Sequence, residues 1–118
     1  MIQTGDPTGT GKGGDSIFNH PFKDEFNKNL RFTHRGMLGM ANTGKPDDNG
    51  SQFFITLNEC NWLDDKHTIF GKITGNTIFN ALSIGNTETG EGDRPMDPAP
   101  KIIKTEVTVN PYKDIVSD

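Results

Sequence analysis

The alternation of apolar and polar positions gives short elements separated by long polar loops. Residues 51–57 form the clearest strand. A period of two puts Gln52, Phe54 and Thr56 on one side and Phe53, Ile55 and Leu57 on the other. The run Met37-Leu38-Gly39-Met40-Ala41 reads as a buried strand, and Thr68-Ile69-Phe70-Gly71-Lys72-Ile73 as another. Residues 101–109 alternate again, with Ile103, Thr105, Val107 and Val109 on one side. Phe22, Phe26 and Leu30 recur every four residues and predict a short helical turn. Asn76 is placed to cap a short helix carrying Ile78, Phe79 and Leu82 on one side. A glycine-rich loop fills 5–16, a polar loop over 43–50 ends in the turn dipeptide Asn49-Gly50, and a third loop spans 85–100. Short strands, one or two short helices and long loops predict a mainly β fold, a small antiparallel barrel or sandwich with helical additions.

Composition narrows this further. A chain of 118 residues is at most one domain. Fourteen Gly and seven Pro exclude a helical bundle or coiled coil, while eight Phe and one Trp supply core material. The net charge is −4, from 12 Lys+Arg against 16 Asp+Glu, which argues against direct nucleic-acid binding. The most basic stretch holds Lys23, Lys28, Arg31, His34 and Arg35, but Asp24 and Glu25 interrupt it, and it reads as a solvated face. No apolar run reaches the ~18 residues of a membrane span, so no membrane partner is expected. The first residues lack the basic and apolar regions of a secretory leader. A single cysteine, Cys60, cannot close an internal disulfide and reads as a packed thiol in a reducing compartment.

Two chemistries suggested by short motifs do not hold. Gly9-Thr10-Gly11-Lys12-Gly13-Gly14 fits the literal G-x-G-x-x-G, but no helical period follows to place a helix N-terminus at a phosphate. The phosphate-loop template fails at Asp6 and again at Gly13. His20, His34, His67 and Cys60 lack zinc-ligand spacing, and no activating group surrounds Cys60. No metal and no cofactor are expected.

Three segments in order carry a resemblance: Met40-Ala41-Asn42, then Asn49-Gly50-Ser51-Gln52-Phe53-Phe54-Ile55, then Trp62-Leu63-Asp64-Asp65-Lys66-His67-Thr68-Ile69-Phe70-Gly71. The series resembles the cyclophilin family of peptidyl-prolyl cis-trans isomerases over residues 1–109, which leaves 110–118 as a polar tail. The loop at 5–14 and the tail look most like the nuclear, spliceosome-associated branch. The resemblance implies an eight-stranded antiparallel barrel with two capping helices, in which Met1-Ile2-Gln3 falls in the fourth strand. The first three strands, the first helix and the segment carrying the family's catalytic arginine then have no counterpart here. Arg31, Arg35 and Arg94 are the arginines present, and none sits in a matching context. No catalytic residue is assigned, and half a barrel with open strand edges is expected not to fold stably alone.

Site roles follow by resemblance, each beside its plainer reading. Phe54 resembles the floor of a proline pocket, or is a core aromatic. Met1 and Leu63 resemble its walls, although Met1 also reads as a frayed end. Gln3 and Gln52 resemble peptide-holding amides, or are solvated strand residues. Ala41 and Asn42 resemble the segment whose backbone pairs with bound peptide, and Asn42 also suits a turn. Trp62 resembles a ligand contact, including for the drug cyclosporin, or is packing. His67 resembles a pocket-lining histidine, with no role as a base. The implied activity is isomerisation of X-Pro bonds in peptides and proteins. The alternative is a non-catalytic proline-peptide-binding module of a spliceosomal assembly. The implied location is intracellular, nuclear or cytoplasmic, with spliceosomal proteins as partners.

Overall fold

A computed structural model describes residues 1–112. The chain divides into Met1–Thr87 and a second unit beginning at Glu88. In the first, β1 (Ile2–Thr4), β2 (Met37–Met40), β3 (Phe53–Ile55) and β4 (Ile69–Lys72) form one antiparallel sheet in the order β1-β3-β2-β4. A helix, α1 (Ile78–Gly85), follows. The three central segments predicted as strands are therefore strands, with tighter limits.

Register explains which side chains share a face. Gln3 lies opposite Phe54, Phe54 opposite Gly39, and Gly39 opposite Ile69. On this face Phe54 joins Phe32, Met37 and Cys60 in the buried core, with Ala41, Leu63 and Ile69 packed against it. On the opposite face Phe53 and Ile55 are only half-buried. The register between Leu38 and Gly39 shifts, and Phe70 meets Phe53 edge-on at 6.0 Å. The face expected to carry polar residues outward is thus the better covered one, because residues 22–32 and 58–67 fold over it.

Thr56 locks the end of β3 to the start of β2. Fully buried, its hydroxyl accepts from the Met37 amide at 3.0 Å and donates to the His34 carbonyl at 3.1 Å. Thr56→Val keeps the shape and leaves both groups unpaired. A loss of about 1–3 kcal/mol is expected, read from the denaturant midpoint of the natural full-length protein.

Several expectations are corrected. Residues 22–32 form no helix. Asn27 accepts the Asn29 amide at 2.8 Å, and Asp24 and Asp47 exchange backbone-to-carboxylate bonds at 2.9 Å, so local polar bonds outcompete the helical ladder. Asn49 is not a hairpin turn residue. It pairs with Phe22 in an isolated bridge, fully buried, and the left-handed residues of the loop are Gly44 and Asp47. Asn76 does not cap the helix. A 3-10 turn (Gly75–Thr77) leads into α1, whose inner stripe is Ile78, Ala81 and Leu82, while Phe79 faces outward.

In the second unit a 3-10 turn (Glu91–Asp93) lies within a loop closed by a bridge between Thr89 and Pro95. Residues 101–109 alternate as a strand would but form none. Period-two patterning becomes a strand only when neighbouring backbone supplies ladder partners, and Ile103 is 97% exposed. Of the expected tail, 113–118 lie outside the described residues. Four strands in an open sheet and one helix are what the described residues contribute to the barrel architecture. None of their helices is long and apolar enough to cross a membrane.

Candidate functional site

β3 and the segments beside it gather most of the expected site residues. Phe54 is held by β1 and β2 on either side and is 2% exposed. Its ring lies 5.5 Å from Phe32 and meets His67 edge-on at 5.2 Å. Phe54 is therefore a core aromatic and a wall beside His67 at once. His67 Nδ1 lies 2.8 Å from the Met40 carbonyl and 3.3 Å from Asn42 Nδ2, which anchors the ring; the carbonyl can only accept, so at the shorter contact Nδ1 is the donor. Leu63 closes a short 3-10 turn (Asn61–Leu63) and packs on the same core.

The two glutamines form a chain of amides. Gln3 donates from Nε2 to Gln52 Oε1 at 2.9 Å. Gln52 in turn donates from its Nε2 to the Gly11 carbonyl at 3.1 Å and the Gly13 carbonyl at 2.9 Å. Both donors of Gln52 are thus engaged, while the Gln3 carbonyl oxygen keeps its acceptor capacity. The Ala41 amide donates to the Gln52 carbonyl at 3.0 Å. Asn42 serves the turn, donating to the Lys66 carbonyl and accepting the Gly44 amide, both at 2.9 Å.

A cleft of about 230 Å³ opens beside this group, lined by Gln3, Gln52, Ala41, Asn42, Thr43 and the glycine loop among others. Thr43 donates to Asp48 across its rim. Of the nine expected residues, Gln3, Ala41, Asn42 and Gln52 line the cleft, while Phe54, Leu63 and His67 form a separate apolar corner. Met1, 54% exposed, and Trp62, 61% exposed, belong to neither group. Arg31 pairs with Asp65 at 2.7 Å, which raises the guanidinium pKa above its ordinary value.

Other chemistries gain nothing. Burial pushes the Cys60 thiol up, away from nucleophilic use. Among the described residues no group of three metal-ligating side chains occurs. The amides of Thr8 and Gly11 that a phosphate would need already bond Asp6.

Three residues escaped the sequence reading. Phe32 backs Phe54, Gly39 makes room for both rings, and Asp6 organises the glycine loop. The Asp-x-Thr-x-Thr spacing at 6–10 was a visible signal for the last.

Taken together, an antiparallel wall, a braced amide pair and the Phe54–His67 corner lie along one row of the sheet. The chain belongs to the family of cyclophilin type peptidyl-prolyl cis-trans isomerases, whose model it matches over residues 1–107. It is 59% identical over 116 residues to peptidyl-prolyl cis-trans isomerase CYP57 of Arabidopsis thaliana, covering 98% of this chain and 23% of that protein. It is 56% identical to the spliceosome-associated protein CWC27 homolog of Xenopus laevis, covering 98% of this chain and 24% of the relative. The chain thus spans about a quarter of the length of these curated relatives. Among solved structures, a cyclophilin type isomerase of Cryptosporidium parvum, crystallised in the presence of the dipeptide Ala-Pro, superposes with a TM-score of 0.72. The two are 46% identical, and the match covers 81% of this chain and 61% of that one.

Proposed function

We propose that the natural protein isomerises X-Pro bonds, and that this chain supplies the peptide-holding wall of the site. The barrier to such rotation is amide resonance, near ~20 kcal/mol, so neither a nucleophile nor a metal is required. Catalysis requires that the twisted amide be held better than either planar isomer. In this reading the proline ring lies against the corner of Phe54, Leu63 and His67, and Gln3, Gln52 and the Ala41-Asn42 backbone hold the peptide. Exposed Met1 and Trp62 contact only a ligand that extends beyond these groups, cyclosporin included. The single observation that carries the reading is the Gln3–Gln52 amide pair braced beside the Phe54–His67 corner. The nuclear spliceosome is the proposed setting, supported by the likeness to a spliceosome-associated relative.

A second reading, binding without catalysis, is favoured by one observation. Arg31 is paired with Asp65 at 2.7 Å, so its guanidinium is engaged by a carboxylate and not free to donate to a proline nitrogen. Exchange spectroscopy on an Ala-Pro peptide with the natural full-length protein separates the two. Cis–trans cross-peaks on a sub-second scale are expected, against tens of seconds uncatalysed. Broadening without cross-peaks would select the binder, and an unaffected peptide would reject both readings.

A further inference from the structure

We propose that Asp6 is a positioning residue for the peptide-holding amides, acting through the glycine loop on Gln52 and through Gln52 on Gln3. The inference rests on the functional reading above and deepens it.

Asp6 follows β1, immediately after the left-handed Gly5. One carboxylate oxygen accepts the Thr8 amide at 2.8 Å and the Thr8 hydroxyl at 2.7 Å. The other accepts the Gly11 amide at 2.6 Å and the Thr10 hydroxyl at 3.5 Å. One side chain therefore gathers four donors from three residues and folds 6–11 around itself. Gly13 must be glycine for this, because a Cβ there would lie 2.5 Å from the Asp6 carboxylate and 2.6 Å from the Thr8 hydroxyl. At the loop's base, Ser51 donates to the Gly5 carbonyl at 2.7 Å. With both ends tied, the loop's far side presents two carbonyls, those of Gly11 and Gly13, to the Gln52 amide group.

The consequence is directional. Two carbonyl acceptors leave Gln52 only one orientation, with Nε2 toward the loop and Oε1 toward Gln3. Gln3 is then turned so that its own carbonyl oxygen remains available. Without the loop's carbonyls, Gln52 is an ordinary strand glutamine with free rotamers. The carboxylate form is the one that does this. Hydrogen bonding, from the Thr8 hydroxyl above all, holds the Asp6 pKa well below the usual carboxylate range. Its contribution is fully present above the ordinary aspartate value and is lost only as pH falls through the depressed one.

A double-mutant cycle in the natural full-length protein tests the relay. Asp6→Ala is expected to weaken Ala-Pro peptide binding about tenfold and Asp6→Asn about threefold, the range for one or two lost polar contacts. In a Gln52→Ala background, Asp6→Ala is expected to add less than about twofold. A full multiplicative effect there would overturn the proposal, since Asp6 would then act independently of Gln52. A second readout needs no peptide. The Gln52 side-chain amide resonances of the free protein are expected to move in Asp6→Asn, which retains the side chain's size, while those of β2 and β4 stay in place. Unmoved Gln52 resonances overturn the relay whether or not peptide binds. Failure of the wild-type protein to bind peptide sinks the functional reading alone.

Discussion

The isolated 118-residue chain is expected to show no single cooperative thermal transition as a monomer. Within Met1–Thr87 five hydrophobic side chains are buried: Phe32, Met37, Phe54, Cys60 and Ala81. Four of them lie on one face of the sheet. Within Met1–Thr87 the helix α1 follows the sheet, and the other face is less well covered. Phe53, Ile55 and Leu38 stay half-buried there, Phe70 is 53% exposed, and Phe79 of α1 is 58% exposed. A sheet buries apolar surface best when both apolar faces are covered, and domains of this size depend on that second layer. Among the described residues the sheet order puts β1 and β4 at the outer edges, and open strand edges favour pairing with other copies. A broad melt, binding of a hydrophobic dye and concentration-dependent association are therefore expected together. Coincident sharp transitions by near- and far-ultraviolet circular dichroism, at monomer mass, would contradict this.

The same half-covered sheet explains what the sequence could and could not tell. Strand β3 was legible because period-two patterning survives in the local sequence, and β2 and β4 because short apolar runs mark them. The partition of Phe53 from Phe54 was legible too, but not which face is better covered. That depends on residues 22–32 and 58–67 folding back, a tertiary event that leaves no periodic mark. Residues 22–32 misled because Phe22, Phe26 and Leu30 mimic a helical stripe while Asp24, Asn27 and Asn49 form lateral bonds. Residues 101–109 misled for the opposite reason: the pattern is that of a strand, but a strand is a property of a pair. At the candidate site, Phe54, Gln52, Ala41 and His67 were named from motif. Gly39 was not, because a glycine in an apolar run signals close approach only once its neighbours are known.

Gly39→Ala is expected to lower peptide affinity by about tenfold and stability by about 1–3 kcal/mol, although it adds a single methyl. Gly39 sits between Phe54 on β3 and Ile69 on β4, in the row that runs to Gln3. A Cβ there would lie 2.6 Å from Phe54 Cζ, 2.9 Å from Phe32 Cζ and 3.1 Å from Phe32 Cε1. Real contacts of this kind need more room, so one ring has to move. Phe32 is fully buried and pinned, its amide donating to Asp64 at 2.8 Å and its carbonyl accepting from Cys60 at 2.9 Å. Phe54 makes the closest approach and its ring takes the larger part of the clash, with His67 edge-on 5.2 Å away. The displacement thus passes into the corner assigned to the proline ring. Backbone strain plays no part, since Gly39 is not among the glycines in the left-handed region. Truncating the opposing ring should relieve the clash. In the natural full-length protein, Phe54→Leu combined with Gly39→Ala is expected to be more stable than the sum of the two single changes implies. Peptide affinity should remain low, because the aromatic wall is gone. Thermal unfolding and peptide titration of the three variants check both halves. Strict additivity in stability would mean that the methyl is accommodated elsewhere, and wild-type affinity in Gly39→Ala would mean that the Phe54 ring does not shape the peptide site.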